Sequence, residues 1–267
     1  MAKIISLINE KGGVGKTSSA NAISVCLKHQ NYKVLGVDFD KQSYFSYSVG
    51  AETRESPTIY DVIKKRVNVI DAIQHTPVID IIPTDGLLGN IEKEYYGVGS
   101  EKLLKDALKP LDSMYDYIII DSPPELGLIS ANIITASDVV LIPALCDFFS
   151  LQGVIQVHET INRIKRAVNP DLVLGGMFLC RYYPREELSR VARETAVKLC
   201  ENLNMTLLDT NIRHSTVISN AMTALQEDII DYAPRNAVVK DYIALVDELF
   251  ERGILWWLNQ DVNLIKI

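Results

Sequence analysis

Residues 11–18 read Lys-Gly-Gly-Val-Gly-Lys-Thr-Ser, between a strand-like run Ile4–Ile8 and a helix-like run from Thr17 to about His29. This arrangement constrains the fold more than any other feature. Glycines let a backbone wrap an anion with its N–H groups pointing inward, and the helix that follows adds the positive end of its dipole. A strand, a glycine loop and a helix in that order are the beginning of a parallel α/β sheet. Gly12, Gly13, Val14, Gly15, Lys16, Thr17 and Ser18 are therefore the candidate phosphate-binding residues. Lys16 is placed to meet the β- and γ-phosphates, and the Thr17 hydroxyl to ligate Mg²⁺.

Past the loop, apolar strand-like runs alternate with helical ones, which predicts a mainly parallel, doubly wound sheet with helices on both faces. Strands are expected at Lys3–Asn9, Lys33–Asp38, Val78–Pro83, Tyr117–Asp121, Val139–Pro143, Leu172–Cys180 and Met205–Leu208. Helices are expected at Thr17–His29, Ser100–Leu108, Leu128–Ala136, Leu151–Ala167, Arg185–Asn202 and Asn236–Arg252. No repeat or low-complexity linker interrupts this pattern, so residues 1–252 read as one domain and 253–267 as an apolar tail. Ligands of such sheets bind beyond the carboxyl ends of the strands. Two of those ends are acidic: Asp38-Phe39-Asp40 closes the second strand, and Asp121 follows the apolar run Tyr117–Ile120. An aspartate at the latter place has the form of an acid that holds Mg²⁺. Aspartates there also serve simply to cap turns.

The loop departs from the common nucleotide pattern, since Glu10 stands where a glycine is usual and Lys11 adds a second lysine. As a bare residue, Lys11 reads as a solvated loop lysine. In the full run Lys-Gly-Gly-x-Gly-Lys-Thr the loop resembles the deviant Walker loop of the ParA/MinD ATPases. Asp121-Ser122-Pro123-Pro124, the segment Pro143 to Gly153, and Ile212-Arg213 through Pro234 extend the resemblance over nearly the whole chain. The resemblance implies ATP and Mg²⁺ as cofactors, and a homodimer in which each Lys11 completes the partner's site. It gives Lys11, Lys16 and Asp40 as catalytic residues, Asp40 orienting the attacking water, and Thr17 and Asp121 as metal ligands. Lys41 follows Asp40 where the family usually has proline. The further implication is a partition ATPase, slow and cytoplasmic. Its dimer would bind nucleoid DNA without sequence preference and be released by a ParB-like partner.

A net charge of −7 argues against a nucleic-acid binder, unless basic residues are segregated. They are: Arg181, Arg185, Arg190, Arg193 and Lys198 crowd one segment, and Arg213, Arg235 and Lys240 follow. Under the resemblance, Arg181, Arg185, Arg213 and Arg235 are the candidate DNA contacts. The alternative is a MinD-like ATPase working on a membrane surface. Leu255, Leu258, Val262 and Ile265 fall on one helical stripe beside Trp256-Trp257, but the tail has few basic residues to meet anionic lipid. The four cysteines include no Cys-x-x-Cys pair, which sets aside a zinc ribbon or a cluster-binding ATPase.

Overall fold

The apolar run Tyr117–Ile120 is buried throughout, as a strand in the middle of a sheet covered on both faces must be. The computed structural model describes residues 1–256. Its strands are β1 (Lys3–Leu7), β2 (Val34–Asp38), β3 (Gln74–His75), β4 (Asp80–Ile82), β5 (Tyr117–Asp121), β6 (Val139–Leu145), β7 (Val173–Tyr182) and β8 (Ile212–Arg213). The α-helices are α1 (Lys16–His29), α2 (Tyr44–Ser48), α3 (Ile59–Ile63), α4 (Ile91–Glu94), α5 (Leu103–Leu108) and α6 (Leu128–Ala136). They continue with α7 (Phe148–Ala167), α8 (Glu187–Leu203), α9 (Thr216–Ser219), α10 (Ile229–Tyr232) and α11 (Ala237–Glu251).

The strands form one sheet in the order β3-β4-β2-β5-β1-β6-β7-β8, parallel except for the β3–β4 pair. Side chains alternate between faces, so Ile118 and Ile120 join the core under α6, α7 and α8, while Tyr117 and Ile119 join the core under α1 and α11. The chain leaving β1 crosses to β2, beyond β5; the chain leaving β5 crosses to β6, beyond β1. The two connections part between the carboxyl ends of β1 and β5. That crevice is the topological switch point at which such sheets bind ligands.

The expected strand at Met205–Leu208 is not one. Only Leu207 bridges to Met177. The chain then turns away where the Glu248 carboxylate accepts from the Asp209 and Thr210 N–H groups at 2.7 and 2.8 Å, and pairing resumes at Ile212. At the crossing, Gly176 has φ +123°, and a Cβ there would lie 2.8 Å from the Thr206 carbonyl oxygen. The antiparallel β3 and the short helices α2, α3 and α4 have no clear signature in hydrophobic period. Helix α7 begins three residues earlier than its apolar pattern, because Asp147 caps it by accepting from Ser150 N–H at 2.8 Å. At the end of the domain Leu255 is buried, and the Trp256 carbonyl accepts from the Tyr117 hydroxyl at 2.8 Å. Leu258, Val262, Ile265 and Trp257 of the expected apolar stripe lie outside the described residues.

Candidate nucleotide site

The phosphate loop joins β1 to α1 at the switch point. Gly13 and Gly15 hold φ +73° and +98°, a region that side chains rarely adopt, and this is why glycine stands there. Val14, between them, is fully buried and pins the loop to the core. A cleft of about 320 Å³ opens over the loop, lined by Gly12, Gly13, Gly15 to Ser18, Asp40 and residues of the β2 and β5 ends.

The floor of this cleft is charged and buried. The Thr17 hydroxyl donates to Asp121 Oδ2 at 2.6 Å. Asp121 and Asp38 are fully buried on neighbouring strands, in register with each other. Burial, then the neighbouring Asp38 charge, pushes the Asp121 carboxyl up to about 8. Burial likewise raises Asp38 to about 6, against the Ser46 N–H and hydroxyl that donate to its Oδ2, each at 2.7 Å. Lys16, also buried, is held below the ordinary lysine range by desolvation, while Asp121 and Asp40 pull the other way. Its ammonium donates to the Lys11 carbonyl at 3.1 Å. Two buried acids and a hydroxyl gather oxygen atoms beside one ammonium, and a cation bound here would favour the ionised form of both acids. Hard oxygen ligands of this kind fit Mg²⁺ and suit no soft metal.

Asp40 lies above that floor, nearly buried. Its N–H donates to Asp38 Oδ1 at 3.1 Å, and its own Oδ1 accepts from Gln42 N–H at 3.1 Å. Among the described residues, no group donates to its second carboxylate oxygen. The sequence therefore brings Gly12 to Ser18, Asp40 and Asp121 together as expected. Lys11 is the exception: its ammonium is turned to Asp147, bonding both carboxylate oxygens at 2.8 and 2.9 Å. Burial acts to raise the Asp147 carboxyl, but the Lys11 ammonium and the Ser150 N–H hold it below the usual range. Neither Asp147 nor Ser46 was singled out by the sequence.

The four arginine candidates divide. Arg185 and Arg235 are exposed. Arg213 is tied down by Asp241, whose carboxylate accepts from its Nε at 2.8 Å and its Nη2 at 2.6 Å. Arg181, with φ +53°, lines the phosphate cleft and also a recess of about 100 Å³ beside it. Cys180, Ile212, Ile218, Val238 and Tyr242 wall that recess, which shares Gly15 and Ser18 with the cleft.

The AAA domain family model matches residues 2–174. Sporulation initiation inhibitor protein Soj of Bacillus subtilis is 34% identical over 258 residues, covering 95% of this chain and 100% of Soj. Chromosome partitioning protein ParA of Caulobacter vibrioides is 32% identical over 257 residues, covering 94% of each. Among solved structures, cobyrinic acid a,c-diamide synthase from Mycobacterium smegmatis, with bound ATP analog and magnesium, has a TM-score of 0.82 at 26% identity. That match covers 95% of this chain and 96% of the synthase. With a phosphate loop of two lysines, an acid at the end of β5 and relatives matched along their whole length, the chain belongs to the ParA/MinD family of ATPases.

Proposed function

We propose that this chain is a partition ATPase of the ParA type, a Mg²⁺-dependent ATP hydrolase whose ATP-bound homodimer holds nucleoid DNA without sequence preference. The observation that carries this reading is the meeting of Lys16, the Thr17–Asp121 pair and Asp40 in one cleft. The loop N–H groups receive the phosphates, and Lys16 offsets their charge. Thr17 and Asp121 hold Mg²⁺, which when bound draws charge from the phosphate oxygens. Asp40 offers its second oxygen to the attacking water, with Oδ1 already fixed by Gln42. The recess beside Arg181 takes adenine.

Lys11 must leave Asp147 to reach a partner's nucleotide, so dimerisation exchanges one anion for another. Arg185 and Arg235 meet DNA phosphates, and Arg213 joins them through whatever part of its guanidinium Asp241 leaves open. A ParB-like protein stimulates hydrolysis and so releases DNA. Against the membrane alternative, the first tail residues lie on the domain: Leu255 is buried and the Lys3 ammonium sits 3.4 Å from the centre of the Trp256 ring.

Three proteins test the chemistry: the parent, Lys11→Ala and Asp40→Ala, each assayed for ATP binding, molecular mass with ATP, and turnover. Lys11→Ala should bind ATP yet stay monomeric. Asp40→Ala should dimerise yet not turn over. Parental turnover by Asp40→Ala would end the water-orienting role, and failure of the parent to bind ATP would end the whole reading.

A further inference from the structure

Beside Asp40, Lys41 reaches across the rim of the cleft, and its ammonium lies 3.3 Å from Glu125 Oε1. The two residues belong to different loops. Lys41 follows the end of β2, and Glu125 follows Pro124 after the end of β5. Both loops line the cleft, the first through Asp40, Gln42 and Tyr44, the second through Ser122 and Pro124. The lysine stem lies over Gly89, its Cδ 3.4 Å from where a Cβ would stand.

The turn that carries Lys41 is anchored at both ends. The Asp40 N–H is held by Asp38, and the Ser43 hydroxyl donates to the Thr84 carbonyl at 3.1 Å. Between those anchors, Ser43 N–H donates to the Asp40 carbonyl at 2.8 Å and Gln42 N–H to the Asp40 carboxylate. Ser43 closes the turn in the left-handed region, at φ +57°. Lys41 sits at the apex of the bridge Asp40 makes to Gln42, and its side chain ties that apex to the opposite loop.

We propose that the Lys41–Glu125 pair is a clasp between the two cleft loops that holds the Asp40 turn in its working orientation. Lys41 is a positioning residue: it acts through Asp40 and through the opposite loop. The kinetic consequence rests on the ATPase reading, whereas the clasp itself does not. Both side chains are partly solvated, so the effect is modest and sensitive to salt.

Hydrogen exchange at Gln42 and Ser43 in the nucleotide-free protein tests the clasp directly. Exposed pairs of this kind correspond to a change of up to about fivefold. Lys41→Met and Glu125→Gln should each speed exchange by about that factor, and the double variant should do no more than either single one. Lys41→Arg should preserve the parental rate, and the reversed pair K41E/E125K should restore it. In the same proteins kcat should fall by a similar factor, with ATP affinity unchanged. Unaltered exchange in Lys41→Met, or additive losses in the double variant, would overturn the clasp. Faster exchange without any ATP turnover in the parent would instead overturn the ATPase reading and leave the clasp standing.

Discussion

Replacing Asp121 by Asn should stabilise the nucleotide-free fold, and by an amount that depends on pH. The folded carboxyl titrates near 8 because burial and Asp38 oppose its charge, against an ordinary 3.8. Between those values the unfolded chain has given up a proton that the folded chain keeps. Stability therefore falls as pH rises from about 4 to about 8. Each unit of that gap is worth about 1.4 kcal/mol, so the ceiling on the effect at pH 8 is about 5–6 kcal/mol. An amide in the same place keeps an acceptor for the Thr17 hydroxyl but buries an N–H₂ group, which costs about 1–3 kcal/mol. The net gain at pH 8 is then about 2–4 kcal/mol, a rise in Tm of about 5–10 °C for a domain of this size. At pH 5 the acid costs the parent about 1.7 kcal/mol, which the cost of burying the amide offsets, and the gain should all but vanish. Thermal melts in chelator, without nucleotide, at pH 5 and pH 8 measure this. Equal Tm values at pH 8, or an increment that does not change with pH, would refute the argument that Asp121 is a buried, charge-opposed acid. The gain should come with lost Mg²⁺-dependent nucleotide binding, as functional acids often trade stability for use.

Asp147→Ala should destabilise the protein by about 1–2 kcal/mol at neutral pH, since it removes both the α7 cap and the anchor of Lys11. Because the folded Asp147 carboxyl is depressed, that contribution is present above the unfolded pKa and lost as pH falls through the folded one; the variant and parent should converge in strong acid. Gly176→Ala should cost at least about 2 kcal/mol in denaturant melts, because the left-handed φ and the approach to Thr206 both oppose a Cβ. An Ala variant as stable as the parent would mean that the β7 crossing relaxes freely.

Local chemistry made much of this legible. Glycines that must take positive φ announced the loop, and the run Tyr117–Ile120 announced a central strand because burial on both faces leaves no polar position. Asp40 and Asp121 were visible because they end strands, the place where parallel sheets bind ligands. Long-range pairings were not visible. Nothing local to Asp147 says that Lys11, just past the end of the neighbouring strand β1, will fold onto it, or that Asp241 will hold Arg213. Met205–Leu208 has the apolar look of a strand, yet Glu248 bonds the next two backbone N–H groups and ends the pairing at one bridge. The placement of Arg181 at the nucleotide cleft was hidden likewise, since a basic cluster in sequence does not say which of its members line a cleft.

Under the proposed function, ATP in this cleft governs DNA binding. Binding of the purified protein to an arbitrary duplex, at one fixed salt concentration with ATP or ADP, tests it most directly. Binding is expected with ATP and not with ADP, with no dependence on duplex sequence. Absence of binding with ATP, in a protein that dimerises on adding it, would contradict the claim.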